Sequence, residues 1–264
     1  MAMSASQLLD ARLTPLGLSQ ARALNSFLKA HPEVVSPAIE AVASSPLSRT
    51  LATSSIVFDG VGDPAFAALE SVRERTSTPR AVSGDGRAFL SEKRRDLTEL
   101  TKEFPRFAFE GLSESDELWT ESGESRGQAA VRAEAALHWI WECPHETLAV
   151  VTHGGCAQTS PRPLSTKSDT GRCCTDLTAA LLNTDSGLVE FDEAASAAPS
   201  GWSNVELRSY RVSLKPGADF CLRFELQHRV AASGTAKRGA SRGPGRPRLQ
   251  TAAEVLERAS QPKL

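Results

Sequence analysis

The sequence predicts an α/β fold with a largely parallel sheet, and three observations carry that expectation. The first is Val150-Val151-Thr152-His153-Gly154-Gly155, an apolar run ending in an imidazole and two glycines. It reads as a buried strand delivering a histidine to a loop, the place where active sites sit in α/β proteins. The second is Val42-Ala43-Ser44-Ser45-Pro46-Leu47-Ser48-Arg49, in which an apolar strand, a serine-rich turn and an arginine near a helix start follow one another. The third is the alternation of helix, loop and strand that links these two runs, the pattern of a parallel sheet with crossover helices. The two polar turns together suggest a pocket for phosphate.

Each element has a local cause. Thr14-Pro15 starts a helix, with threonine as the N-cap and proline in the first turn, where a missing N–H costs nothing. Gly17, Ala21, Leu24, Phe27 and Leu28 recur at helical spacing until His31-Pro32 stops the run. Ala38 to Ala43 reads as a short buried strand, and Arg49 to Ser55 as the beginning of the next helix. Ile56 to Gly60 has no firm pattern. Residues 63–124 are irregular and charged, with Trp119, Phe104, Phe107 and Phe109 among them. Ser125 to Cys143 predicts a helix, with Ala129, Ala133, Ala136, Leu137, Ile140 and Trp141 on its apolar side. Thr147 to Thr152 is the strand that presents His153.

Beyond Gly155 the signals weaken. Thr159-Ser160-Pro161-Arg162-Pro163 cannot propagate a helix. Leu177 to Leu182 has helical character. Val205 to Leu214 and Phe220 to Leu226 alternate as strands, expected to pair antiparallel at the sheet edge. From Ala231 the Gly, Ser, Pro and Arg content predicts disorder, apart from a short helical stretch at Thr251 to Ala259.

Composition narrows the class. With 264 residues, 40% hydrophobic and 23% charged, the chain is long enough for one α/β domain with a full core and a tail. Met1 to Leu9 has no basic start followed by an apolar run, and no stretch approaches the ~20 apolar residues of a membrane span, so a cytoplasmic protein without a membrane partner is expected. Cys143, Cys156, Cys173, Cys174 and Cys221 are odd in number and fit neither a disulfide framework nor a zinc spacing. Free thiols in a reducing compartment follow, with no metal or other cofactor expected. The net charge of −2 divides into +6 from Arg229 onward and −8 before it, a basic tail on an acidic body.

Asp10-Ala11-Arg12-Leu13-Thr14-Pro15-Leu16-Gly17-Leu18-Ser19-Gln20-Ala21, the Ser45 to Arg49 turn and Val150 to Gly155 together resemble the histidine phosphatase superfamily, the branch that includes the cofactor-dependent phosphoglycerate mutases. The resemblance runs from about Asp10 to Gly155 and returns weakly at Asn204 to Arg208. It implies a three-layer α/β/α sandwich with a mostly parallel sheet, occupying residues 10–228, with 63–124 as an insertion over the active site and 229–264 as a disordered basic tail. The run Glu92-Lys93-Arg94-Arg95-Asp96 with Glu103-Phe104-Pro105 would wall the site.

The resemblance also assigns roles. Arg49 matches the family's second phosphate-binding arginine, whose planar guanidinium grips two oxygens at once. His153 matches the second histidine, which donates to the transferring phosphoryl group, and Gly154 and Gly155 allow a ligand close approach. Glu74 matches the proton donor, which beside an anionic phosphate would hold its proton toward neutrality; Glu70 and Glu92 compete for that role. Family members open with a strand ending in Arg-His-Gly, whose histidine is the nucleophile. No residue before Asp10 supplies it, and His31, His138, His145 and His228 each lack a strand end followed by glycine. The resemblance implies phosphomonoester hydrolysis through a phosphohistidine on a fold whose N-terminal strand is missing here; if the chain is complete, the covalent step does not occur. The partner would be a phosphorylated small molecule or a phosphoprotein, turned over by a phosphatase or mutase, or bound by a non-catalytic relative.

A separate expectation attaches to the tail. Arg242-Gly243-Pro244-Gly245-Arg246-Pro247-Arg248 resembles an AT-hook, whose arginines enter the narrow minor groove of A·T-rich DNA, although Pro244 departs from the basic flank. A solvated basic linker is the simpler reading of Arg242, Arg246 and Arg248.

Overall fold

Helix α1 (Pro15–Ala30) forms where the Thr14 cap and the apolar spacing place it: the Thr14 side chain accepts from Gly17 N, and Ala21, Leu24 and Leu28 are buried on one face. The chain is described here from a computed structural model covering residues 9–76, 90–153, 187–193, 205–218 and 220–230. After α1 come β1 (Ala41–Ser44), α2 (Ser48–Val57), β2 (Ala65–Ala68), α3 (Leu97–Glu103), β3 (Phe107–Ala108), α4 (Arg126–Glu142) and β4 (Leu148–Val151). Strands β5 (Val189–Phe191), β6 (Leu207–Leu214) and β7 (Leu222–Val230) follow.

The central sheet has the order β3-β2-β1-β4, and every pairing in it is parallel. β1 sits in the middle, with Ala41 opposite both Ala65 and Leu148 and Ser44 opposite both Ala68 and Val151. All four of its residues are buried, which is why it reads as a continuous apolar run.

Successive residues of β4 serve opposite faces, as the two-residue period of a strand demands. Ala149 and Val151 pack in the cluster that holds Leu28 of α1, Leu51 of α2 and Val42 of β1, while Val150 packs with Ala133, Ala136 and Leu137 of α4. Helices therefore cover both faces, and the mixed α/β fold with a parallel sheet is as the sequence predicts. Two caps set the helix starts near the site. Asp10 caps α2 from a distance, accepting from Ser48 N (2.8 Å) and Ser48 Oγ (2.6 Å). Ser125 and Gln128 form a reciprocal capping box at α4.

Several elements differ from expectation. Helix α2 continues to Val57, so the patternless Ile56 and Val57 are helical. Within 63–124, β2 and β3 belong to the central sheet, so that range is in part the body of the fold; Ala65–Ala68 has three alanines and no alternation to announce a strand. β6 and β7 do pair antiparallel, but with β5 they make a three-stranded sheet of their own, order β5-β7-β6. Alternation identifies a strand without naming its neighbour. β7 runs through Val230, two residues past the boundary drawn at 228, because Val230 is buried in the core. Gly154, Gly155, Leu177 to Leu182 and residues 231–264, including Arg242, Arg246 and Arg248, lie outside the described residues. Among the described residues no helix is long and apolar enough to cross a membrane.

Candidate active site

From β1 the chain proceeds to β2 on one side, while β4 lies on the other, so strand order reverses between β1 and β4. The crevice beyond the carboxyl ends of two such strands is where parallel sheets bind ligands. The Ser45 turn begins there, and so does the Thr152-His153 segment that follows β4. Ser45 N donates to Val151 O at 3.0 Å, which keeps the two strand ends side by side. His153, two residues further on, is buried with Nε2 2.8 Å from Ser45 Oγ.

The serine turn is fixed by its own hydrogen bonds. Thr50 Oγ1 donates to the carbonyls of Ser45 (3.0 Å) and Leu47 (2.7 Å), and Ser54 Oγ to Ser44 Oγ (3.0 Å). Ser44, Ser45, Ser48 and Ser54 are all essentially inaccessible. Their hydroxyls satisfy a turn that apolar residues would leave with unpaired carbonyls. Ser45 was legible as a turn residue, and its role as the imidazole's partner was not.

Arg49 stands in the first turn of α2 and donates from Nη1 to Ser91 O at 2.7 Å. Burial draws its pKa down from the usual arginine value, the carboxylates of Glu74, Asp10 and Glu92 pull it back up, and Arg73 lowers it further. Glu74 leads those carboxylates, so the structure brings Glu74 and Arg49 within electrostatic reach. Its Oε1 accepts from Arg75 N at 3.1 Å. Of the rivals, Glu70 is committed to ion pairs with Arg94 (2.8 Å) and Arg73 (3.3 Å), and Glu92 offers its carbonyl to Arg73 at 2.5 Å.

His153 is held neutral. Burial pushes its pKa well below 6.5, and the positive charges of Arg49, Arg73 and Arg132 add to the effect. An unfolded chain takes up a proton here as pH falls through 6.5, whereas the folded chain resists until lower pH. Stability intact above 6.5 is therefore lost as pH drops toward the folded pKa. Urea unfolding of the wild type and of His153→Asn, followed from about pH 7.5 to about pH 5, should show the wild type losing up to about 1.4 kcal/mol more per pH unit. Parallel curves would show that His153 titrates normally.

Sequence reasoning missed the buried arginines around these residues. Arg73 and Arg94 are 1% and 2% exposed. Arg73 pairs bidentately with Asp116 at 2.6 Å through both nitrogens. Arg94 donates to Glu70 and to the carbonyls of Ser113 and Ser115. Arg95 reaches Asp10 (3.3 Å), Ser48 Oγ (2.6 Å) and Glu103 (2.8 Å), and Arg12 also pairs with Glu103. Within the run Glu92 to Asp96, Arg94 is buried and Arg95 mostly so, and both find their oxygen partners inside the fold. The other four histidines have surroundings elsewhere: His31 contacts Glu33, His138 stacks on Phe220, His145 lies by Glu40, and His228 faces Ser209 across a strand pair.

Comparison with known proteins finds one family and several relatives similar to this chain. The family model described as the histidine phosphatase superfamily (branch 1) matches residues 3–79. "Phosphoglycerate mutase-like protein 1" of Arabidopsis thaliana is 30% identical over 169 residues, 55% of this chain and 58% of that protein. A second Arabidopsis "Phosphoglycerate mutase-like protein" is 29% identical over 176 residues, 58% of this chain and 63% of that protein. The chain thus spans less than two thirds of the length of these relatives. A solved structure titled "Mycobacterial hydrolase 2" is similar at a TM-score of 0.46 and 20% identity, over 84% of this chain and 80% of that one. Residues 3–79 are thus similar to the histidine phosphatase superfamily, and just over half of the chain is similar to phosphoglycerate mutase-like proteins.

Proposed function

We propose that the site acts on phosphomonoesters by histidine phosphatase chemistry, with Arg49 and His153 holding the phosphoryl oxygens and Glu74 protonating the leaving oxygen. The observation that supports it is the meeting of a half-buried guanidinium and a buried neutral imidazole at one strand-order reversal, with a carboxylate within reach of the guanidinium. A neutral imidazole donates one N–H to an oxyanion, and a guanidinium supplies the charge. In the full reaction an imidazole nitrogen bonds to phosphorus as the ester P–O bond breaks, and Glu74 gives its proton to the departing alkoxide. Water then releases phosphate; return of the phosphoryl group to a second hydroxyl would make the same chemistry a mutase, a reading the relatives' names favour.

One observation supports a second reading. None of the five histidines in this sequence follows an arginine, so these residues do not include the nucleophile motif. The site would then bind a phosphorylated small molecule or phosphoprotein without turnover. Free Cys143 and Cys221 suit the reducing, cytoplasmic setting that we assign to either activity.

Titration with inorganic phosphate and orthovanadate, alongside release of p-nitrophenol from its phosphate ester, separates the readings. Binding with release supports the enzyme, and binding without release the non-catalytic relative. No binding of either ion would overturn both.

A further inference from the structure

The segment that carries Glu74 is suspended on one side chain of α4. Arg132 Nη1 donates to the carbonyl of Arg73 (2.7 Å), the residue just before Glu74, and to that of Ser71 (3.1 Å). Its other nitrogens are taken by the Glu124 carboxylate, Nε at 2.9 Å and Nη2 at 2.6 Å, with both side chains nearly buried. Glu124 completes the frame through its backbone: Glu124 N donates to Thr76 O at 2.8 Å, and Arg75 Nη1 to Glu124 O at 3.2 Å. Residues on both sides of Glu74 are therefore attached to the Glu124–Arg132 pair.

The imidazole hangs from the same frame. Thr152 Oγ1, one residue before His153, donates to Val72 O at 2.7 Å. The carbonyls of Ser71, Val72 and Arg73 thus receive Arg132, Thr152 and Arg132 in turn, and Glu74 and His153 follow directly at the two ends. A flexible carboxylate needs such support, because the segment Glu70–Val72 is a single 3-10 turn with no side-chain cap.

We propose that Arg132 is a positioning residue of the site: clamped by Glu124, it fixes where the Glu74 carboxylate stands relative to His153 and Arg49. This rests on the reading that Arg49 and His153 hold a phosphoryl dianion. Arg132 acts through the peptide backbone and touches no ligand. Its fork geometry is what the role requires, since one planar guanidinium serves a carboxylate on two nitrogens and the backbone carbonyls of Glu70, Ser71 and Arg73 on the third. Lysine keeps the charge and cannot reproduce that fork.

Sulfate, a dianion throughout the neutral range, tests the role by the sign of an effect. A Glu74 carboxylate held beside the anion repels it, so Glu74→Gln should tighten sulfate by about tenfold. Arg132→Lys releases the carboxylate while keeping the charge, and should also tighten sulfate. In the Glu74→Gln background the same change should do nothing, because the group it positions is already neutral. Glu124→Gln, which leaves Arg132 in place and loosens its grip, should reproduce the pattern if Arg132→Lys does not fold.

A structural role alone predicts weaker binding by the same factor in both backgrounds. That result, or unchanged sulfate affinity in both foldable variants, would overturn the proposal while leaving the anion site standing. If the wild type takes up no sulfate, or Glu74→Gln leaves the affinity unchanged, the placement of Glu74 beside the anion is wrong and the positioning role falls with it.

Discussion

Asp116→Ala will cost about 3–5 kcal/mol of folding stability, a large part of the 5–15 kcal/mol typical of a domain. The Asp116 side chain is 0% exposed and the Arg73 side chain it holds is 1% exposed. Burial alone would raise the Asp116 pKa, yet the hydrogen bonds and charge of Arg73, with the backbone N–H groups of Arg94 and Trp119, bring it below the ordinary carboxylate value. Removing the carboxylate strips the buried guanidinium of its bidentate partner, leaving it Glu70 at 3.3 Å and the Glu92 carbonyl, and leaves those N–H donors unpaired. Asp116→Asn keeps some donors satisfied and should cost less than alanine. Urea denaturation reads the difference directly, and an alanine variant within about 1 kcal/mol of wild type would show that the pair is no more than a surface-type bridge.

Arg49→Met has the complementary signature, a large loss of binding with a smaller loss of stability. Among the described residues Arg49 gives one hydrogen bond to the protein, to Ser91 O, and sits in the site with carboxylates nearby. Truncating the cation of a desolvated anion pair typically costs about 2–5 kcal/mol, so phosphate affinity should fall at least about 30-fold. Arg49→Lys should fall between, because an ammonium is a point charge without the paired donors. Calorimetric titration with phosphate and a thermal melt of the same samples measure both quantities. Unchanged affinity would remove Arg49 from the site; a collapse of the melt with retained affinity would make it a structural arginine.

The contrast between these two arginines marks what the sequence could disclose. β1, β4 and α1 were legible because burial leaves a local trace: four buried residues in a row at Ala41–Ser44, and a helical stripe through Ala21, Leu24 and Leu28. Arg49 and His153 stood out in the sequence because Arg49 follows a strand and a turn and His153 follows a strand directly, contexts that give a polar residue meaning. Arg73 and Arg94 have no such trace, since a charged residue in an irregular stretch reads as solvated. Their burial depends on Asp116, 43 residues from Arg73, and on Glu70, 24 residues from Arg94. Such pairings have no period. β2 was hidden for a different reason, its Ala-Phe-Ala-Ala being too short and too small to show a pattern, though it is a full member of the sheet.

The segment from Leu90 to Glu124 is fastened to the fold by the parallel pairing of β3 with β2, by Leu100 and Phe107 in the core, and by Arg73, Arg94 and Arg95 with their oxygen partners. The apolar and the charged attachments respond to temperature differently. Warming weakens the hydration that competes for buried charges, which favours the arginine contacts, whereas cooling weakens the apolar packing that holds α1 and α2 on the sheet. Of the segment's attachments, the arginine contacts keep gaining as warming lowers their desolvation penalty, whereas the stabilisation from apolar packing levels off.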